Sequence, residues 1–150
     1  ADSVWGDPIA AGLAKRDASL PPMEVVAGGA LSICDEATAA QIRDLGRFMT
    51  ALYVGGMGAK GKNFYNNIFC AYGYEAEAEQ IQDLYLAGRK DEAMAAVPQE
   101  FLDATAMVGD EGRVRERIEA YRAAGVTRLQ VQPMGDNQLQ LIEKVKGWIS

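Results

Sequence analysis

Both faces of the segment Met23–Ile33 are largely apolar or small, and this narrows what the chain can fold into. One alternating set is Val25, Ala27, Gly29, Leu31 and Ile33; the other is Glu24, Val26, Gly28, Ala30 and Ser32. A strand with one wet face alternates apolar with polar residues. A strand without that alternation is covered on both sides, as in the parallel sheet of an α/β fold. Val126–Pro133 is the second such strand. It follows the amphipathic segment Asp110–Ala124 through a short Gly125-Val126-Thr127 turn, the αβ connection of a repeating β/α unit. Two strands of this kind do not make a stable sheet alone. The expectation is that further strands lie outside this chain, N-terminal in a longer parent or in a partner subunit. The start at Ala1-Asp2-Ser3, without an initiator Met, points the same way.

The rest reads as helix. Trp5–Arg16 is a short helix with Pro8 in its first turn, ended by Pro21-Pro22. Asp35 reads as the N-cap of a helix reaching about Tyr53, with Ile42, Leu45, Phe48, Met49 and Leu52 on one stripe. Gly55–Lys62 (GGMGAKGK) breaks it. Asn63 opens a short aromatic helix to about Gly73; further helices span Glu75–Leu86 and Arg89–Val97. Phe101–Val108 fits either a helix end or an extended return. Asn137–Trp148 is the last helix. The whole chain, 1–150, reads as one region.

Composition removes several function classes. The net charge of −6 argues against nucleic acid and against an anionic membrane surface, both of which attract basic patches. No apolar run is long enough to span a bilayer. Histidine is absent, so a His-based triad, a His-ligated zinc site and a His general base are excluded within this chain. Cys34 and Cys70 are too few for a disulfide framework and fit a reducing, cytoplasmic setting. No metal site is expected.

Three stretches carry a resemblance. Met23–Gly29 (MEVVAGG) runs into Cys34–Ala37 (CDEA). Ala51–Asn66 (ALYVGGMGAKGKNFYN) is accompanied by Ile81–Lys90 (IQDLYLAGRK). Val108–Arg117 (VGDEGRVRER) precedes Ala124–Pro133 (AGVTRLQVQP). In this order they resemble the luciferase-like monooxygenase family, and its coenzyme F-420-dependent branch in particular. The first stretch is similar to the family's seventh barrel strand, the last to its closing helix and eighth strand. Asp110-Glu111-Gly112 stands where the family usually has Thr-Pro-Glu, which keeps an acidic helix start but loses the Thr hydroxyl.

The resemblance implies the C-terminal part of a (β/α)8 TIM-type barrel, helix-rich, with an insertion between the last two barrel strands and the N-terminal strands absent. It implies an oxidoreductase that passes hydride between deazaflavin coenzyme F-420 and a small organic substrate, with the site at the C-terminal face of the barrel. An FMN-dependent monooxygenase of the same fold is the alternative. A non-catalytic helical interaction module is the reading from another class. Half a barrel would expose strand edges and associate with copies of itself, so an inactive homo-oligomer is expected of this chain alone.

Under the barrel reading one strand parity faces inward. Leu129 and Val131 suit the helix side, leaving Arg128, Gln130 and Gln132 inward. Gln132, nearest the C-terminal end, is a candidate to hydrogen-bond the cofactor ring; otherwise it is a core polar residue bonded to neighbouring strands. Gly28, Ala30 and Ser32 would face inward and leave room for a flat ring, or serve plain close packing. Lys60 and Lys62 in the glycine-rich loop are candidates for an anionic substrate, the loop being either an active-site lid or a distal structural turn; its spacing is not that of a P-loop. No catalytic residue is assigned. The Arg113–Glu119 charges read as a solvated helix face.

Overall fold

A computed structural model describes residues 2–149. Its three strands are all parallel and lie in the order β2-β1-β3, where β1 is Val26–Ile33, β2 is Met107–Gly109 and β3 is Arg128–Pro133. The expected parallel pairing of the two apolar strands is present, with Val26 opposite Arg128 and Leu31 opposite Pro133. The third strand falls at the end of the stretch left open between a helix end and an extended return. It pairs only with the C-terminal end of β1, from Leu31 opposite Met107 to Ile33 opposite Gly109. The ambiguous Phe101–Val108 stretch resolves into a helix ending at Thr105 and then this strand.

Eight α-helices are seen among the described residues: α1 Asp7–Leu13, α2 Glu36–Ala51, α3 Phe64–Ala71, α4 Glu75–Leu86, α5 Lys90–Ala95, α6 Gln99–Thr105, α7 Glu111–Ala123 and α8 Gln138–Ile149. Three of the starts are written in the sequence as side-chain caps. Asp35 accepts from the Thr38 N–H at 2.8 Å and Asp110 from the Arg113 N–H at 2.7 Å, each satisfying an orphan donor at a helix N-terminus. Asn63 does the same for Tyr65 and Asn66, and its amide donates to the carbonyls of Tyr53 and Val54, both at 2.9 Å. One buried side chain thus ties the start of α3 to the π-helical turn Leu52–Gly56 that follows α2. Among the described residues no helix is long and apolar enough to cross a membrane.

Two cores form. The sheet core joins Leu31 and Met107 to Val114, Ile118 and Val145 of α7 and α8, with Leu129 and Val131 against it. The helical core joins Ala51, Val54, Phe69, Ala78, Ile81, Ala93, Val97 and Leu102. Where these helices lie follows from the crossovers. The β1-to-β2 connection moves one way across the sheet and β2-to-β3 moves back the other way. Right-handed crossovers then put α2 and α7 on opposite faces.

The apolar stripe of α2 differs from expectation. Leu45, Phe48 and Met49 are 64, 55 and 44% exposed. The helix buries Ala39, Arg43 and Ala51 instead. Small residues on that side let α6 come close: a Cβ on Gly46 would sit 3.3 Å from Leu102. The Arg113–Glu119 charges also differ in part. Arg113 and Arg117 donate to the carbonyls of Asp103 and Ala104, and the Tyr121 hydroxyl to that of Thr105, so α7 caps the C-terminus of α6.

Candidate functional site

The sheet face opposite α7 and α8 is where sequence, register and chemistry meet. Parallel register sets Gly28 beside Gln130 and Ala30 beside Gln132, and residues paired in register share a face. This row has two small residues on β1 and two amides on β3, with no charge until Arg128 at the N-terminal end, which is paired with Glu24. Gln130 and Gln132 are exposed while Leu129 and Val131 are half-buried against the helices. The assignment of Leu129 and Val131 to the helix side therefore matches the structure.

Ala30, Gln132 and Met134 border a groove of about 270 Å3 whose other wall is α2, through Ile42, Arg43, Gly46 and Met49, with Leu102 and Thr105 beyond. It lies toward the carboxyl ends of β1 and β3. Chain direction splits there: β1 leads into α2 on one face and β3 into α8 on the other. Ligands in open parallel sheets settle at such a divergence, because the loops part and leave a crevice.

The groove has one buried charge. The Arg43 side chain is 9% exposed and faces Asp103, Nε to Oδ1 at 3.1 Å, an ionic contact without hydrogen-bond alignment. It also bonds the exposed Glu36 carboxylate and reaches the Val108 carbonyl at 3.4 Å. It pins α2 to α6 and β2. Sequence reasoning passed over Arg43. The available signal was its spacing: Glu36 and Arg43 are seven residues, two helical turns, apart and so share a face.

The candidate residues divide into two groups. Gly28, Ala30 and Gln132 come together on the open face. Ser32 shares their parity but is 5% exposed, buried where β2 pairs with β1. Gly28 has a packing reason to be glycine: its φ is +155° and a Cβ there would lie 2.0 Å from the Gln130 carbonyl oxygen. Lys60 and Lys62 lie on the helical core's side of the chain, in a loop packed on α4. Gly55 and Gly56 approach Tyr85 so closely that a Cβ would fall 2.6 and 2.4 Å from its side chain. Gln82 donates to the Gly58 carbonyl. Lys60 is bound to Asp83, and that hydrogen bond raises its pKa above the usual lysine value. Lys62 is exposed. Among the described residues no group of three or more Cys, Asp or Glu side chains is arranged to hold a metal.

Comparison with known proteins gives two matches. The family model described as luciferase-like monooxygenase matches residues 3–128. A protein of Mycobacterium tuberculosis (strain ATCC 25618 / H37Rv), provisionally named a coenzyme F-420-dependent oxidoreductase, is 41% identical over 81 residues. That match spans 54% of this chain and 23% of the relative, so this chain corresponds to only a part of the relative's length. No solved structure matches significantly.

Proposed function

Since the chain belongs to the luciferase-like monooxygenase family, we propose that it is part of an oxidoreductase that uses the deazaflavin coenzyme F-420 on a small organic substrate. The observation that carries this is the 41% identity, over 81 residues, to the relative provisionally named an F-420-dependent oxidoreductase. In this reading β1 and β3 are the last two strands of a (β/α)8 barrel. The open Gly28–Ala30–Gln130–Gln132 face is its interior, and the segment from α2 to β2 is an insertion between those strands.

The open face fits a flat ring. Between Gly28 and Gln132 its strand residues carry no charge, its β1 side is small and its β3 side offers amide donors and acceptors. The groove of about 270 Å3 is at or below the small end of ligand pockets, which run from about 300 Å3 upward. It would hold part of a cofactor, with the remainder held elsewhere. When bound, the coenzyme supplies the hydride chemistry. The chain's residues position it: Ala30 leaves space against the strand, Gln132 hydrogen-bonds the ring's polar edge, and Met49 with Ile42 excludes water from its other side. Arg43 holds α2 at the spacing this requires. Lys60 and Lys62 are kept as substrate anchors only if the loop bends toward the sheet, because Lys60 must first leave Asp83.

The proposal further takes the enzyme to act in the cytoplasm, on a small molecule rather than nucleic acid or membrane, and to assemble as a homo-oligomer. The test is a titration of the protein with oxidised coenzyme F-420 and, separately, FMN, followed by absorbance and fluorescence. Saturable binding of F-420 and not FMN supports the reading. Preference for FMN would move the protein to the flavin-dependent monooxygenases, which share the fold.

A further inference from the structure

Away from the sheet, a cavity of about 220 Å3 opens between α2, α3 and α6. Met49, Tyr53, Tyr65, Ile68, Tyr72 and Phe101 are among its walls, and no lining side chain is a carboxylate, ammonium or guanidinium. The rings are fixed edge-on. The Tyr53 and Tyr65 centroids are 4.6 Å apart at 71°, and Phe69 meets Phe101 at 4.8 Å and 69°. Core packing explains Phe69, which is buried. It does not explain Tyr65 and Tyr72, which stay 41 and 46% exposed at the rim.

Tyr72 already shows which group it takes. Its hydroxyl accepts a hydrogen bond from the indole Nε1 of Trp5 at 3.0 Å, across 67 positions of sequence. Helix α1, just after Trp5, buries no side chain. The Trp5 contact is thus a tether at the cavity mouth, while the cavity itself stays open.

We propose that this cavity binds a flat, uncharged aromatic ring carrying an N–H or O–H donor, seated among the fixed rings and anchored on the Tyr72 hydroxyl. Charge selects this occupant. An anion would find no cation in the lining, and a cation no carboxylate. An aromatic ring gains edge-to-face contacts with the walls. Its donor, once desolvated, needs an acceptor, and Tyr72 supplies one. Trp5 competes for that acceptor, so occupancy of the cavity and docking of the N-terminal segment oppose each other. The site is built on the helical core and does not depend on the oxidoreductase reading.

The test uses two probes, indole and 1-methylindole, which differ in the donor. Each is titrated into the 150-residue protein while the Met49 and Ile68 methyl signals are followed by NMR. Indole is expected to shift both methyls saturably and to bind more tightly than 1-methylindole. Tyr72→Phe should weaken indole about fivefold, the value of one ordinary hydrogen bond, and leave 1-methylindole unchanged. Trp5→Phe should tighten indole. Circular dichroism checks that each variant is folded. Absence of saturable shifts at Met49 and Ile68, or equal indole affinity in wild type and Tyr72→Phe, overturns the proposal.

Discussion

Gly28 and Gln130 sit so close across the β1–β3 pair that a Cβ on Gly28 would be 2.0 Å from the Gln130 carbonyl oxygen and 2.8 Å from its carbon. Both atoms are backbone, so no rotamer change relieves the clash. Gly28→Ala is expected to cost roughly 3 kcal/mol or more, by displacing β3 and straining a positive φ. Gly12→Ala is the control, since nothing lies within 4 Å of its Cβ and it sits in α1. It should be neutral or stabilise by about 0.5–1 kcal/mol. Urea unfolding of the two variants checks the contrast.

Asn63→Ala should destabilise by about 2–4 kcal/mol. The side chain is 1% exposed and joins two carbonyls to two N–H groups. Removing it leaves buried partners unmatched. Asn66→Ala should cost less, because Asn66 is only half-buried and its side chain bonds the Val54 and Ala78 carbonyls and the Cys70 thiol without capping a helix N–H. Equal losses would mean that the α2–α3 junction does not rest on Asn63.

Acid should loosen two helix starts together. The Thr38 N–H lowers the pKa of Asp35, and Lys144 with Arg115 lowers that of Glu111. A depressed folded-state pKa contributes stability that is present above the unfolded value, about 3.9 for Asp and 4.3 for Glu. It is lost as pH falls through the lower folded value. Stability is therefore expected to be level from neutrality to about pH 5 and to fall below it. In Asp35→Asn that fall should be shallower, as read from thermal melts against pH. An identical acid slope in the variant would remove Asp35 from the account.

Part of this was legible in the sequence, for physical reasons. Strand parity depends only on chain periodicity, so the parallel pairing of Val26–Ile33 with Arg128–Pro133 and the helix side of Leu129 and Val131 could be read directly. The caps at Asp35, Asn63 and Asp110 are local hydrogen bonds and were equally readable, Asp110 as the acidic start of α7. The strand Met107–Gly109 was only one of two readings open for Phe101–Val108. It is three residues long, and its place is set by pairing with Leu31–Ile33, more than seventy positions away. The buried side of α2 was misjudged because hydrophobicity marks Leu45, Phe48 and Met49, whereas close packing selects Ala39, Gly46 and Ala51. Arg43 was missed because its partners Asp103 and Val108 come from distant segments. Gly28 reads from sequence as space for a ring or as close packing, and the approach of the β3 backbone gives the second reading a physical cause.

Gln132 is exposed on the open face, so Gln132→Leu should change stability little. It should weaken coenzyme F-420 binding by about tenfold, from roughly 1–3 kcal/mol for the lost polar partner. Lys62→Ala, on the helical side, should leave that affinity unchanged. Parallel binding curves for the two variants check this. Equal effects would detach Gln132 from the cofactor.

The central claim is that the Ala30–Gln132 face receives the cofactor, and the most direct measurement is a residue-by-residue NMR map on adding coenzyme F-420. The account predicts saturable shifts of the Ala30, Gln130, Gln132 and Met134 amides and the Met49 methyl, with Lys60 and Lys62 unmoved. Shifts confined to the Gly55–Lys62 loop, or none on β1 and β3 at saturating coenzyme, would contradict it.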